Sequence, residues 1–430
     1  MTEPAGWRNG LEPRIACEIE HIVGAFHDAP DGGRDITVVP TGAGGIDHMY
    51  AAGEILVRDD HLDRVLEILE HPTRQDLEQS QPARLRRVTT GHVLLTLGEP
   101  HAVVADALDL VDQRLGRGVA TPNHVLTVAG NEGEAGACPA TEPEQVYYGI
   151  EPFPSISHGN GGAGVLVYTA DTGLLRDAAT HSWLAGVRVS DPENDYDPQT
   201  PLQGDPAQIP PYTGHGTFVA GVVRSQAPAA EIIVTNAFSV AGSALESDLV
   251  QHLDAALGLG VDIFHLSIAC VSRNDLPLLA FGEWLSRLRE SKGAVCIAAA
   301  GNSATRRPVW PAGFPGVVAV GALGGDWRGR ASFSNFGPWV DVYAPGRDIV
   351  NAYATGSYTC RVSPYVDDTR TFYGMAKWSG TSFSTPIVTG LIAARMSATG
   401  ENARQATAAV LAEAQAQAIP GVGPVLLPPR

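Results

Sequence analysis

Apolar runs of two kinds alternate along the first third of this chain. Glu54-Ile55-Leu56-Val57 reads as a short strand, and His61 to Leu69 after it reads as a helix. The succession repeats with Gly91 to Leu97 followed by Val103 to Val111, and His124 to Val128 closes the series. This pattern predicts a small α/β domain over residues 51–130 whose helices cover one face of a sheet. Residues 1–50 show no pattern from which structure can be read. The stretch from 128 to 163 is dense in Gly and Pro and reads as a linker, assigned to residues 131–160. Beyond it, Val165 to Ala170 is an unbroken apolar run, as expected of a parallel strand buried on both faces. Ile263 to Ala269 and Ile297 to Ala300 read as further strands, while Gly214-His215-Gly216 opens an apolar helix and Ile387 to Ala394 forms another. A second domain is therefore expected over residues 161–400. It is followed over 401–430 by a helix rich in Ala, Glu and Gln and an irregular tail from Pro420.

Composition narrows the function classes. The 430 residues are 44% hydrophobic and 18% charged, which suits a large buried α/β core. A formal net charge of -18 argues against nucleic acid and anionic membrane surfaces as partners. No stretch approaches the ~20 apolar residues of a membrane span. Met1 to Gly10 carries neither a basic start nor an apolar segment, so no signal peptide is visible and a cytoplasmic location is expected. Cys17, Cys138, Cys270, Cys296 and Cys360 are odd in number and lack metal-ligand spacing, so buried thiols are expected. No motif calls for a cofactor or metal. The oxygen-rich stretch Asp191 to Pro198 is compatible with a structural calcium ion, but it lacks EF-hand spacing and reads as a solvated loop.

Three short segments carry the candidate chemistry: Asp171-Thr172-Gly173 after the Val165 strand, His215-Gly216-Thr217 at a helix start, and Gly380-Thr381-Ser382 at another. Each alone is an ordinary turn or helix cap. Together they supply a nucleophile, a base that can take its proton, and a carboxylate to orient the base. Gly301-Asn302 ends another apolar strand, where Asn can tolerate a left-handed backbone. His265 and Ser267 share a face of their strand by alternation, and a buried, hydrogen-bonded histidine is expected there.

In order and context these residues resemble the subtilases over roughly residues 160 to 400. The order Asp, His, Ser separates that family from the chymotrypsin-like and α/β-hydrolase scaffolds. Ser379-Gly380-Thr381-Ser382-Phe383-Ser384-Thr385-Pro386 is similar to the family's nucleophile signature. Val309 to Ala312, Val317 to Ala322 and Ala331 to Pro338 are further landmarks. The resemblance implies a subtilisin-like, mostly parallel sheet flanked by helices, and a serine endopeptidase acting through an acyl-enzyme. The implied catalytic residues are Asp171, His215 and Ser382, with Asn302 in the oxyanion hole and Ser267 and Gly301 binding substrate. The implied partner is a protein or peptide substrate, in intracellular processing or turnover. The N-terminal domain resembles a subtilase propeptide, whose tail inhibits the enzyme, and Ala120 to Leu126 resembles the strand that ends it. A docking domain is the competing reading of that segment, and a catalytically degenerate binding scaffold that of the whole.

Overall fold

The computed structural model describes residues 11, 13–29, 33–41, 45–98, 103–128, 140–197, 207–290, 293–361 and 365–429. The N-terminal unit runs α1 (Pro13–His27), β1 (Ile36–Pro40), β2 (Ile46–Arg58), α2 (Leu62–Ile68), α3 (Arg74–Ser80), β3 (Leu85–Arg87), β4 (His92–Thr96), α4 (Val104–Leu115) and β5 (Ala120–Thr127). Its sheet is antiparallel in the order β3-β4-β2-β5, with β1 paired to β2. Leu62, Val65 and Leu66 of α2 and Ala107, Leu108 and Val111 of α4 bury one sheet face against Ile55, Val57 and Leu95.

The second unit continues with β6 (Leu166–Asp171), β7 (Arg188–Val189), α5 (His215–Gln226), β8 (Glu231–Asn236), β9 (Ser243–Leu245), α6 (Glu246–Ala256) and β10 (Ile263–Leu266). It closes with α7 (Leu279–Glu290), β11 (Val295–Ala299), β12 (Val317–Leu323), β13 (Val342–Pro345), β14 (Ile349–Thr359), β15 (Thr369–Trp378), α8 (Thr381–Thr399) and α9 (Ala403–Ala416). Seven strands form one parallel sheet in the order β13-β12-β11-β10-β6-β8-β7. Helices α6 and α7 pack on one face, and α5, α8 and α9 on the other. Every residue of α5 is buried, which explains why its sequence is apolar all round instead of amphipathic.

Four expectations need correction. The described part of residues 1–50 is not a separate segment: α1 buries Ile15, Ile19, Ile22 and Phe26 in the core shared with the second unit, and β1 and β2 belong to the N-terminal sheet. The supposed linker belongs to the second unit from residue 140 onward. Glu144 exchanges both backbone bonds with Lys377 of β15, Phe153 does so with Val350 of β14, and Trp378 donates to the Thr141 carbonyl at 2.6 Å. The tail after α9 docks on β13, with Tyr343 and Leu426 joined backbone to backbone. Among the cysteines, Cys270, Cys296 and Cys360 are buried but Cys17 is exposed, because it sits on the face of α1 away from Ile15 and Ile19. Cys138 lies outside the described residues.

The two units are joined by a continued strand. β5 leaves the N-terminal sheet and pairs antiparallel with β9 of the second unit, Val125 opposite Leu245 and Thr127 opposite Ser243. Asn123 accepts from Ser247 N–H at the start of α6 (3.1 Å), Asp248 pairs with Arg34 and Arg86 (both 2.9 Å), and Glu283 accepts from Gly91 N–H (3.0 Å). His124 is buried at this junction with the carboxylate of Glu246 3.7 Å away.

Candidate active site

The three adjacent central strands β11, β10 and β6 end at one edge, where open parallel sheets place their sites. Asp171 is the last residue of β6, Ser267 follows β10 directly, and Gly301-Asn302 follows β11 within three residues. His215 is the first residue of α5, and Ser382 the second of α8. Asp171, His215, Asn302 and Ser382 are all fully buried.

The Asp and His segments are knitted together. His215 Nδ1 lies 2.6 Å from Asp171 Oδ1, Thr172 N–H donates to the same Oδ1 at 2.8 Å, and Gly216 N–H donates to Thr172 Oγ1 at 3.2 Å. A side chain at 216 has no room, since a Cβ there would meet the Gly173 carbonyl at 2.4 Å. The His215 ring stands edge-on to Trp378 at 5.7 Å and lies 5.5 Å from Phe383, the neighbour of Ser382. With Nδ1 donating to Asp171, Nε2 keeps its lone pair.

Asn302 is oriented by Thr381, whose N–H and Oγ1 both donate to Asn302 Oδ1 at 2.9 and 3.0 Å. The acceptor half of the amide is thereby committed to Thr381. The Ser382 N–H lies in the first turn of α8, where helix geometry provides no intrahelical partner. An anion formed at the Ser382 side chain would find that N–H and the positive end of the helix.

Gly301 and Ser267, the residues expected to bind substrate, have polar groups engaged within the protein. Gly301, at φ +91°, donates its N–H to Thr381 Oγ1 (3.2 Å), and its carbonyl accepts from Asn335 N–H (3.0 Å), so its contribution here is backbone shape. The hydroxyl of Ser267 is likewise turned inward to the Ser382 carbonyl. The backbone just beyond it is the part that meets an extended chain. Thr127 and Ala269 exchange both backbone bonds at 3.1 and 2.9 Å, and Val128 N–H donates to the Gly242 carbonyl at 2.9 Å. Val125 to Val128 thus lies as a strand between β9 and the segment that follows Ser267.

The acidic stretch is not a solvated loop throughout. Asp195 and Asp197 are buried and accept from protein donors, Asn236 N–H for Asp195 (3.0 Å) and Gly214 N–H for Asp197 (2.7 Å). Asp197 so fixes the turn that leads into His215. Among the described residues no group of three or more His, Cys, Asp and Glu is placed to hold a metal ion.

An oriented imidazole, a helix-start hydroxyl and a side-chain amide at the edge of a parallel α/β sheet are residue types suited to nucleophilic acyl transfer. Residues 162–421, over half the chain, match the subtilase family, and the chain belongs to that family of serine peptidases. It is 31% identical over 277 residues to a thermophilic serine proteinase of Bacillus sp. (strain AK1), covering 61% of this chain and 59% of that protein. It is 29% identical over 273 residues to thermitase of Thermoactinomyces vulgaris, covering 61% and 84% respectively. The chain thus spans less than two thirds of the first relative's length. In fold it is similar to fervidolysin of Fervidobacterium pennivorans, a keratinolytic enzyme related to subtilisin, with a TM-score of 0.59 at 18% identity over 88% of this chain and 60% of that one.

Two buried histidines and a half-buried one make the folded state sensitive to acid. Burial pushes His265 down to about 3, with the Asp171 charge opposing and His215 reinforcing. Burial, helped by Arg361, pushes His21 down to about 4, and burial lowers His124 against the pull of Glu246. Each has a folded value below its unfolded one near ~6.5. The unfolded chain therefore binds more protons, and stability is complete above ~6.5 and lost as pH falls towards the lowered values. The melting temperature should drop between pH 7 and pH 4.5. An unchanged Tm over that range would contradict the neutral, buried state of these rings.

Proposed function

We propose that this chain is a serine endopeptidase acting on proteins or peptides through Asp171, His215 and Ser382, and that its N-terminal unit restrains it. The observation that carries this reading is the 2.6 Å bond between the fully buried Asp171 and His215, set beside the first turn of α8. In the proposed reaction His215 Nε2 takes the Ser382 Oγ proton as the oxygen attacks the peptide carbonyl. The carbonyl oxygen becomes an oxyanion facing Asn302 Nδ2 and Ser382 N–H. The C–N bond then breaks as His215 returns the proton to the leaving amine, and water attacks the acyl-enzyme by the same exchange. Asp171 holds the tautomer and stabilises the imidazolium.

The restraint rests on the pairing of Val125 to Val128. A segment hydrogen-bonded on both sides, to Gly242 and to Ala269, occupies the groove in which a substrate would add as a strand. The self-inhibiting reading is preferred to a docking domain for that reason. The test is peptide hydrolysis by the full chain carrying Thr127→Pro, which removes the N–H given to Ala269 and leaves the catalytic residues untouched. Release of the groove should raise the initial rate about tenfold, the scale of one lost backbone bond plus the ring's clash. An unchanged rate would favour docking. Failure of the wild type and the variant alike to react with a fluorophosphonate would return the chain to a binding scaffold.

A further inference from the structure

Helix α8 contains Pro386, four residues after Ser382. In an α-helix the carbonyl of residue i is met by the N–H of residue i+4, and proline has none. The carbonyl of Ser382 is therefore deprived of its helical partner by the sequence itself. A substitute comes from another element: Ser267 Oγ donates to the Ser382 carbonyl at 2.9 Å.

The proton order behind that bond is fixed. Ser267 has one hydroxyl proton, used on Ser382, so its contact with His265 Nε2 at 2.9 Å must be donated by the ring. A neutral ring protonated at Nε2 has a bare Nδ1, which lies 2.9 Å from Thr389 Oγ1 and accepts from it. The chain runs one way, from Thr389 through His265 and Ser267 to Ser382, and all four residues are fully buried. It begins and ends on α8 and passes through the strand end at β10, stapling the helix to the sheet at the nucleophile.

We propose that His265 is a positioning residue for Ser382: it holds Ser267 as a donor to the carbonyl that Pro386 leaves without a partner, and so fixes the backbone that carries the Ser382 hydroxyl and N–H. The ring faces Asp171 from β6 and His215 from α5 as its charged or titratable neighbours, and its burial keeps it neutral well below pH 5. This role rests on the peptidase reading.

Two measurements test it. Ring-15N spectra of the full-length Ser382→Ala chain, which retains the carbonyl, should show His265 protonated at Nε2 and bare at Nδ1 from pH 5 to 8. An imidazolium or an Nδ1–H tautomer would overturn the donor order and with it the proposal. In the chain that retains Ser382, Ser267→Ala and His265→Leu should each lower kcat about tenfold with KM within about twofold, and the double variant should be no slower than the worse single one. Adding Pro386→Ala to Ser267→Ala restores a helical N–H opposite Ser382 and should recover most of the loss, which a general packing defect would not allow. Additive losses without rescue would overturn the role. A wild type that neither labels with a fluorophosphonate nor cleaves peptide would sink the peptidase reading and this one together. An active wild type whose variants keep full kcat would sink only this one.

Discussion

Ser382→Ala should abolish both fluorophosphonate labelling and peptide cleavage, and should leave the full-length chain intact wherever the unaltered chain cuts itself. The expectation follows from the uniqueness of the site. Ser382 is in the first turn of α8, at the same sheet edge as the oriented His215, whereas Ser267, another serine at this edge, gives its proton to a carbonyl. Removing a nucleophile of this kind costs a factor of about a million in kcat in subtilisin, the family's namesake. The fold should survive, because Ser382 Oγ makes no hydrogen bond among the described residues that alanine would forfeit. Mass spectrometry of the labelled peptide decides the matter: a label that persists in the variant places the nucleophile elsewhere.

The parts of this architecture legible in the sequence were those encoded locally. A strand buried on both faces must be apolar without a break, so Val165 to Ala170 and Ile297 to Ala300 announced β6 and β11, and the residues after them could be assigned to the sheet's edge. The helix starts at His215 and Ser382 were marked by glycines that leave no side chain in the way. The hairpin β14–β15 passed unread, although a signal was present. Phe372, Gly374, Ala376 and Trp378 are buried in alternation with more exposed neighbours, a period-two pattern interrupted by enough small residues to conceal it.

What could not be read depends on distant partners. Thr141 to Phe153 is Pro-rich and polar, as a linker would be, yet it is an added strap along β14 and β15, held by backbone bonds that composition does not reveal. Asp195 and Asp197 looked like solvated acids because their neighbours Asp191 and Glu193 are. Their inward turn depends on backbone N–H donors at Asn236 and Gly214 that no local pattern announces. His265 was expected to be buried and hydrogen-bonded, and it is. That its partners lead to Ser382 needed the register of β10 against α8. Leu126 and Val128 looked like the apolar end of a small domain. Their burial comes instead from the other unit and from α1.

The second large effect is expected at Asn302, where two roles meet in one amide. Its Oδ1 holds Thr381 N–H and Oγ1, a structural task, and in the proposed mechanism its Nδ2 serves the oxyanion, a catalytic one. Asn302→Ala removes both. If the donor half acts mainly in the transition state, kcat should fall by about two to three orders of magnitude with KM almost unchanged, a size taken from the oxyanion donor of subtilisin itself. Asn302→Asp separates the roles, since it keeps an acceptor for Thr381 but offers no donor and places a charge where the oxyanion forms. Its kcat should fall at least as far as that of Asn302→Ala, while its melting temperature stays nearer the wild type. The opposite pattern, a large loss of Tm in Asn302→Ala with kcat preserved in both variants, would make Asn302 a helix-start device for α8 and leave stabilisation of the oxyanion to the Ser382 N–H alone.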